Sequence, residues 1–391
     1  SAPTPASDAH RGARRWLVLE LTPVPGHVRH CSGCGDAVAA IHDRTVRRIR
    51  DLPVFEDPVE LEVERLRLAC PRCGPRLEQL DWLDAHARVT RRLAQSVARL
   101  CAVTSILQAA RWFGLDWKTV KTIDFRHLER TLGPIDLTGV TVIAMDEFAI
   151  QKGHRYATVV VDPERKRVLW VGRGRSRAEV RPFFELLGPE GCARLRAVAM
   201  DMNTAYDLEV RMHCPNAEVV YDLFHVVAKY GREVIDRVRV DQANQLRQDK
   251  PARRVIKSSR WLLLRNRSNL DPRQTVQLDE LLQANQPLLT AYLMRDELKR
   301  LWFYRHPSWA RKAWIHWLEQ AQGSGIAALV HFATKLKAYL HGILSRCRHR
   351  LNTSIVEGIS NTIKVIKRRA YGYRDQEYFF LKIKAAFPGN A

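Results

Sequence analysis

Two apolar stretches that run into an aspartate constrain this chain more than any other feature. In "TVIAMDEFA", Thr141 to Ala149, the residues Val142, Ile143, Ala144 and Met145 read as a buried strand that meets Asp146 and Glu147. "LRAVAMD" repeats the pattern and stops on Asp201. A buried strand does not carry a carboxylate lightly, because an unpaired charge away from water is costly. Ligands of α/β sheets gather beyond strand ends, so two strands ending on Asp at one edge can share a cation. Hard carboxylate oxygens suit Mg²⁺ or Mn²⁺. A third carboxylate would complete a two-metal site for phosphoryl transfer.

The surrounding pattern is α/β. Strands are expected at 140–146, 155–161 and 167–171, a helix at 176–187, then the strand ending on Asp201, a short helix and the strand "AEVVYD". Residues 223–345 read as mostly helical, and helix returns at 352–370. On a helical wheel, 351–370 places Ile355, Ile359, Ile363, Ile366 and Ala370 in one apolar stripe. Glu357 lies almost opposite, with Arg350, Thr353, Ser354, Asn361, Lys364 and Arg368 on its face. From Arg346 to Arg374 there are eight Lys/Arg and one acid. That acid is either an ion-pair partner or a metal ligand beside a phosphate backbone. Glu319, among tryptophans, and Glu377, after the basic run, are weaker candidates. Glu147 should point to the opposite sheet face from Asp146, since strand neighbours alternate, and so miss the metals unless the strand has already ended.

The N-terminal part has a different character. Cys31 and Cys34 in "HCSGCG" and Cys70 and Cys73 in "LACPRCG" form two CxxC knuckles joined by period-two, β-rich sequence. Four thiolates suit one tetrahedral structural Zn²⁺, although the 35-residue gap is longer than a usual ribbon spacing. The bland alternative is four reduced thiols. "SILQAARWFGLDWKTVKTIDFRHLER", 105–130, fits a helix-turn-helix, with Ala110 at the close approach, Gly114 in the turn and Asp116 as a cap. Leu115, Val120 and Ile123 form the inner face; Trp117, Lys118, Lys121, Thr122 and Arg126 remain for DNA. A plain helical hairpin stays open at this point.

Charge narrows the partner. The chain holds 64 Lys plus Arg against 42 Asp plus Glu, a net +22, which favours a polyanion. No apolar run approaches a membrane span, no lipid motif stands out, and no P-loop for a nucleotide cofactor is present. Eight cysteines, only four of them paired in motifs, do not make a disulfide scaffold, which points to the cytoplasm.

At this point the residues resemble a family. The order Asp146, Asp201, Glu357 is similar to the DDE triad of ribonuclease-H-like transposases. "MDEFA", "DLFHV" and "LNTSIVEGISNTIKVIKRRAYGY" resemble, more narrowly, transposases of the ISL-three group of bacterial insertion sequences, whose layout the CxxC pairs and helix-turn-helix also fit. The resemblance implies a multidomain α/β chain. Its parts are an N-terminal zinc-ribbon-like module at 1–87, a helix-turn-helix at 88–135, a ribonuclease-H-like mixed sheet at 136–228 and 346–391, and an α-helical insertion at 229–345. It implies two Mg²⁺ (or Mn²⁺) on the three acids and one structural Zn²⁺.

The implied reaction starts with attack of water on the phosphodiester at the element end. The freed 3′-hydroxyl then attacks a second phosphodiester. The partners are double-stranded DNA, as terminal inverted repeats and target, and a second copy of the chain, with the protein at the bacterial nucleoid. Asp222 and His225 in "YDLFHVV" fall where related transposases carry an acid-or-Cys/His pair near the active site. Twelve Lys/Arg in 229–267, among them Arg253, Arg254 and Lys257, would meet phosphates, as would Arg350, Asn361, Lys364 and Arg368. In similar enzymes an insertion-domain Trp stacks on a displaced base, and Trp302 is a candidate here. Two other readings share these features: a structure-selective nuclease with the same metal fold, and a non-catalytic DNA-binding regulator descended from a transposase.

Overall fold

A long antiparallel ribbon carries the cysteine segment. Strands β2 (Ile41–Val54) and β3 (Asp57–Cys70) pair along their length, β1 (Leu17–Leu21) adds in parallel to β3, and β4 (Gly74–Leu77) folds back on its end. This is a computed structural model that describes residues 16–389 apart from Lys152, His154, Arg350, Asn352 and Thr353. The chain divides into two units, residues 1–133 and 134–391.

The first unit has several small cores in place of one large one. Cys31, Val38, Leu66, Leu68 and Cys70 pack at the knuckle end of the ribbon, and Ile49, Val63 and Leu83 pack on its stem. Three helices follow: α1 (Arg91–Val103), α2 (Ile106–Phe113) and α3 (Trp117–Leu132). Thr90 caps α1 and also donates its hydroxyl to buried Asp51 of β2 at 2.6 Å, tying helix to ribbon. Gly114 ends α2 at φ 60°, a left-handed turn that glycine adopts without steric cost. Asp116 then caps α3 through the Lys118 N–H. Ala109, Ala110 and Val120 are buried together, the close helix approach that the small residues permit.

The second unit is a five-stranded mixed sheet in the order β7-β6-β5-β8-β9. β5 (Val142–Gln151), β6 (Arg155–Asp162) and β7 (Arg167–Arg173) are antiparallel neighbours; β8 (Ala197–Met200) and β9 (Glu218–Tyr221) run parallel to β5. One difference from the sequence expectation stands out. β5 does not stop at Asp146 but continues to Gln151, because β6 pairs with it from Ala144 to Gln151 while β8 pairs only with Val142–Ala144.

Helices α4 (Arg177–Arg194) and α5 (Thr204–His213) cover one face, and α6 (Leu223–Tyr230) leads away from β9. A π-turn, Gly231–Ile235, joins α6 to a helical insertion: α7 (Asp236–Gln245), α8 (Lys250–Ser258), α9 (Arg260–Leu264), α10 (Pro272–Ala284), α11 (Gln286–Leu301), α12 (Pro307–Gly323), α13 (Ala327–Lys337) and α14 (Leu340–Ser345). The apolar core runs unbroken from Ile143 and Met200 of the sheet to Trp314, Trp317 and Leu329 of the insertion.

The other face has its own core. Ala144, Phe148, Val159 and Ala199 meet Ile359, Ile363 and Ile366 of α15 (Ser354–Arg369) and Phe379 and Ile383 of α16 (Gln376–Ala386). The isoleucine stripe read from the helical wheel is thus the buried side of α15.

Candidate functional site

Strand register brings the acids together. Ala144 of β5 pairs with Ala199 of β8, and Ala199 pairs with Val220 of β9. Two residues on in each strand stand Asp146, Asp201 and Asp222, so one row of the sheet delivers three carboxylates to the same edge. Asp146 alternates with Ala144 and Phe148, which places it on the face that α15 covers. α15 lays Glu357, Ser360, Asn361 and Lys364 along the same opening, and the four acids, His225 and Phe224 line one pocket of about 210 Å³. Spacings of three, four and seven residues are one helix face, so a single stripe of α15 serves the pocket.

Local capping explains how each strand end is turned. Asn203 caps α5 by accepting the Ala205 N–H at 2.9 Å, which bends the chain directly after Asp201. Asp222 caps α6 by accepting the Phe224 N–H at 3.0 Å, so one of its oxygens is engaged in structure. His225 follows on that helix with Nδ1 4.0 Å from Asp201 Oδ2. Asp146 accepts the Glu147 N–H at 2.8 Å and the Ser360 hydroxyl at 2.5 Å. Glu147 points to the opposite face and pairs with Arg175 at 2.6 Å.

The pocket sets four carboxylates beside Lys364 and His225. Burial pushes the Asp201 carboxyl up to about 6; His225 and Lys229 oppose the shift, and the charges of Glu147 and Asp146 reinforce it. Hard oxygen donors around an under-compensated carboxylate fit a divalent cation of the Mg²⁺ or Mn²⁺ type. The carboxylates do not crowd, however. Among the described residues, only the four cysteines bring three or more ligand atoms within 4.8 Å of one another.

Those cysteines form the second centre, in the first unit. Cys31 and Cys70 are buried, Cys34 and Cys73 half-buried, and Cys34 Sγ lies 3.6 Å from Cys70 Sγ. Tetrahedral zinc with Zn–S near 2.3 Å sets its sulfurs about 3.8 Å apart. The N–H groups of Cys34 and Gly33 hold the Cys31 thiol down to about 7, while burial and the neighbouring thiols push Cys34 and Cys73 up, so the case for zinc rests on the donor set and its spacing. Donor set and spacing fit a structural zinc.

Comparison with known proteins decides the family. Residues 143–383 match the family described as transposase, residues 78–127 the helix-turn-helix domain of transposase family ISL3, and residues 27–73 the zinc-finger of transposase IS204/IS1001/IS1096/IS1165. The chain belongs to the ISL3 family of transposases. It is similar to the transposase for insertion sequence element IS1001 of Bordetella parapertussis, 65% identical over 378 residues, 96% of this chain and 93% of the relative. It is also similar to the transposase for insertion sequence element IS1557 of Mycobacterium tuberculosis, 28% identical over 394 residues, 95% of this chain and 88% of the relative.

The other expected residues of this transposase fall into three groups. On α3, Trp117, Lys118 and Arg126 are exposed and Lys121 is half-buried; on α8, Arg254 and Lys257 are exposed and Arg253 is half-buried. Asn361, Lys364 and Arg368 are exposed on α15, while Arg350 lies outside the described residues. Trp302 is a correction. It is 5% exposed and packs edge-on against Trp314 at 5.3 Å, so its indole has no face for a base. The exposed indoles of the insertion are Trp261, at 65%, and Trp309, at 67%. No helix among the described residues is long and apolar enough to cross a membrane.

Sequence reasoning missed Ser360 and Phe224. Each had a positional signal, Ser360 one turn after Glu357 and Phe224 between Asp222 and His225. Neither residue type announces phosphoryl chemistry.

Proposed function

We infer that this transposase cuts and joins DNA at the ends of an insertion sequence through Asp146, Asp201 and Glu357, acting with two divalent ions. The observation that carries the reading is the meeting of carboxylates from β5, the end of β8 and α15 in one pocket, with Asp201 left short of counter-charge. When bound there, the ions activate the attacking oxygen and stabilise the leaving one.

The chain's own groups orient the substrate. Lys364 and Asn361, hydrogen-bonded to each other at 3.3 Å on the pocket wall, face the phosphate next to the scissile bond. Arg368 continues that stripe along the backbone, and Arg253, Arg254 and Lys257 of α8 take phosphates further out. Trp261, in place of Trp302, offers the insertion's face for a displaced base. Trp117, Lys118, Lys121 and Arg126 of α3 read the terminal inverted repeats, with the zinc module holding the ribbon that supports α1 to α3. His225 and Asp222 support Asp201 from α6. Bringing two element ends together requires two copies of the chain.

The test is an assay of end-containing DNA with Mg²⁺. Wild type releases a free 3′-hydroxyl at the element end and joins it to target; Asp201→Ala does neither. Equal cleavage by both proteins would sink the assignment, and cleavage without joining would make the protein a nuclease.

A further inference from the structure

We propose that Ser360 is a positioning residue: its hydroxyl orients the Asp146 carboxylate for a divalent ion and, in the same bond, couples Asp146 to Glu357. The proposal rests on the reading of the pocket as a cation site.

Ser360 is 6% exposed on the inner side of α15, between the pocket and the isoleucine stripe. A serine inside a helix commonly turns its hydroxyl back to the carbonyl one turn earlier. This one reaches across to β5 and donates to Asp146 Oδ2 at 2.5 Å. A hydroxyl has one proton to give, so Asp146 is its chosen acceptor. The other carboxylate oxygen, Oδ1, accepts the Glu147 N–H at 2.8 Å. Both oxygens are therefore held from the protein side. Each carboxylate oxygen offers two lone pairs, so each keeps one for the pocket. Free rotation of the carboxylate, which would have to be stopped when an ion arrives, is already stopped.

The same bond has a second effect. Glu357 precedes Ser360 by three residues, one helical turn, on the pocket-facing stripe. Only one other hydrogen bond is recorded between α15 and β5 among the described residues, Lys367 Nζ to the Ala149 carbonyl at 2.8 Å. The two bonds lie seven residues apart on the helix and three apart on the strand, and together they fix α15 along β5. The Lys367 bond sets register without touching a carboxylate. The Ser360 bond sets register and ligand orientation together.

That distinction gives the experiment. Partners that hydrogen-bond a metal ligand typically contribute about 10–100-fold to metal affinity. Mn²⁺ binding to the zinc-loaded full chain is measured by calorimetry, and the site is defined by its loss in Asp201→Ala. Ser360→Ala is expected to weaken that binding about 10-fold in a chain that still melts cooperatively, while Ser360→Thr, which keeps the hydroxyl, retains wild-type affinity. Lys367→Ala retains it too. Wild-type affinity in a folded Ser360→Ala overturns the proposal. So does an equal loss in Lys367→Ala, which would reduce Ser360 to a register contact. A wild type that shows no Mn²⁺ binding dependent on Asp201 overturns the cation reading and this inference together.

Discussion

The cysteine cluster and the acid pocket are both sets of potential metal donors, and they are built in opposite ways. The four sulfurs come from two hairpin-like knuckles and converge within 4.8 Å. Their positions are set by local sequence, three positions apart in each pair, and the cysteines make up half of the small core around them. The carboxylates come from β5, the ends of β8 and β9, and α15, spanning more than 200 residues of sequence from Asp146 to Glu357, and they line one opening. A closed donor set holds a metal as structure; an open one leaves room for a substrate. The contrast teaches that in this chain local spacing gathers the soft sulfur donors, and the global fold gathers the hard carboxylate ones.

Removing the first metal should have the largest effect. Structural zinc contributes about 10–16 kcal/mol of apparent binding energy in small modules, and the knuckle end of the ribbon has no other core of any size. Cys31→Ser with Cys34→Ser is expected to abolish zinc content and the first unit's transition in calorimetry, with loss of binding to terminal repeats. The second unit, with its own continuous core, should keep its transition. If that transition vanished as well, the independence of the two centres would be wrong.

Next in size is a test of what the insertion's tryptophans do. Trp302→Ala removes a buried ring and should cost about 3–5 kcal/mol of stability in the second unit, read as a shifted denaturant midpoint. Trp261→Ala should leave that midpoint in place and weaken DNA binding instead. The reverse pattern would return Trp302 to the DNA surface.

The smallest effect separates two acids near α5. Asp201 is pushed up because burial and like charges dominate. Glu209 is also buried, which alone would raise it, but Arg181 and Arg177 hold it below its usual 4.5. A depressed acid contributes stability that is complete above its unfolded value and lost as pH falls through its folded one. The second unit should therefore lose stability as pH drops below about 4.5, and Glu209→Gln should flatten that acid limb in a series of thermal melts. An unaltered limb in the variant would mean that Glu209 is not the titrating group.

Much of this was legible in the chain. Apolar strands running into Asp146 and Asp201, and the isoleucine stripe opposite Glu357, follow from periodicity, which survives folding because burial enforces it. The extension of β5 past Asp146 did not show, since a strand with one neighbour on part of its length looks like a strand that has ended. Trp302 was misread because an aromatic among basic residues gives no sign of which side faces the core. Ser360 was invisible for a different reason: its partner lies 214 residues away, and only the packed helix brings them together.

The C-terminal cover of the sheet carries a consequence for synthesis. Among the described residues, the face formed by Ala144, Phe148 and Val159 is covered by α15 and α16, which are made after all five strands of the sheet. Until residue 354 is made, that face has no lid and the pocket lacks Glu357. A chain cut short before α15 would therefore expose that apolar face to water and lack the Glu357 carboxylate of the pocket.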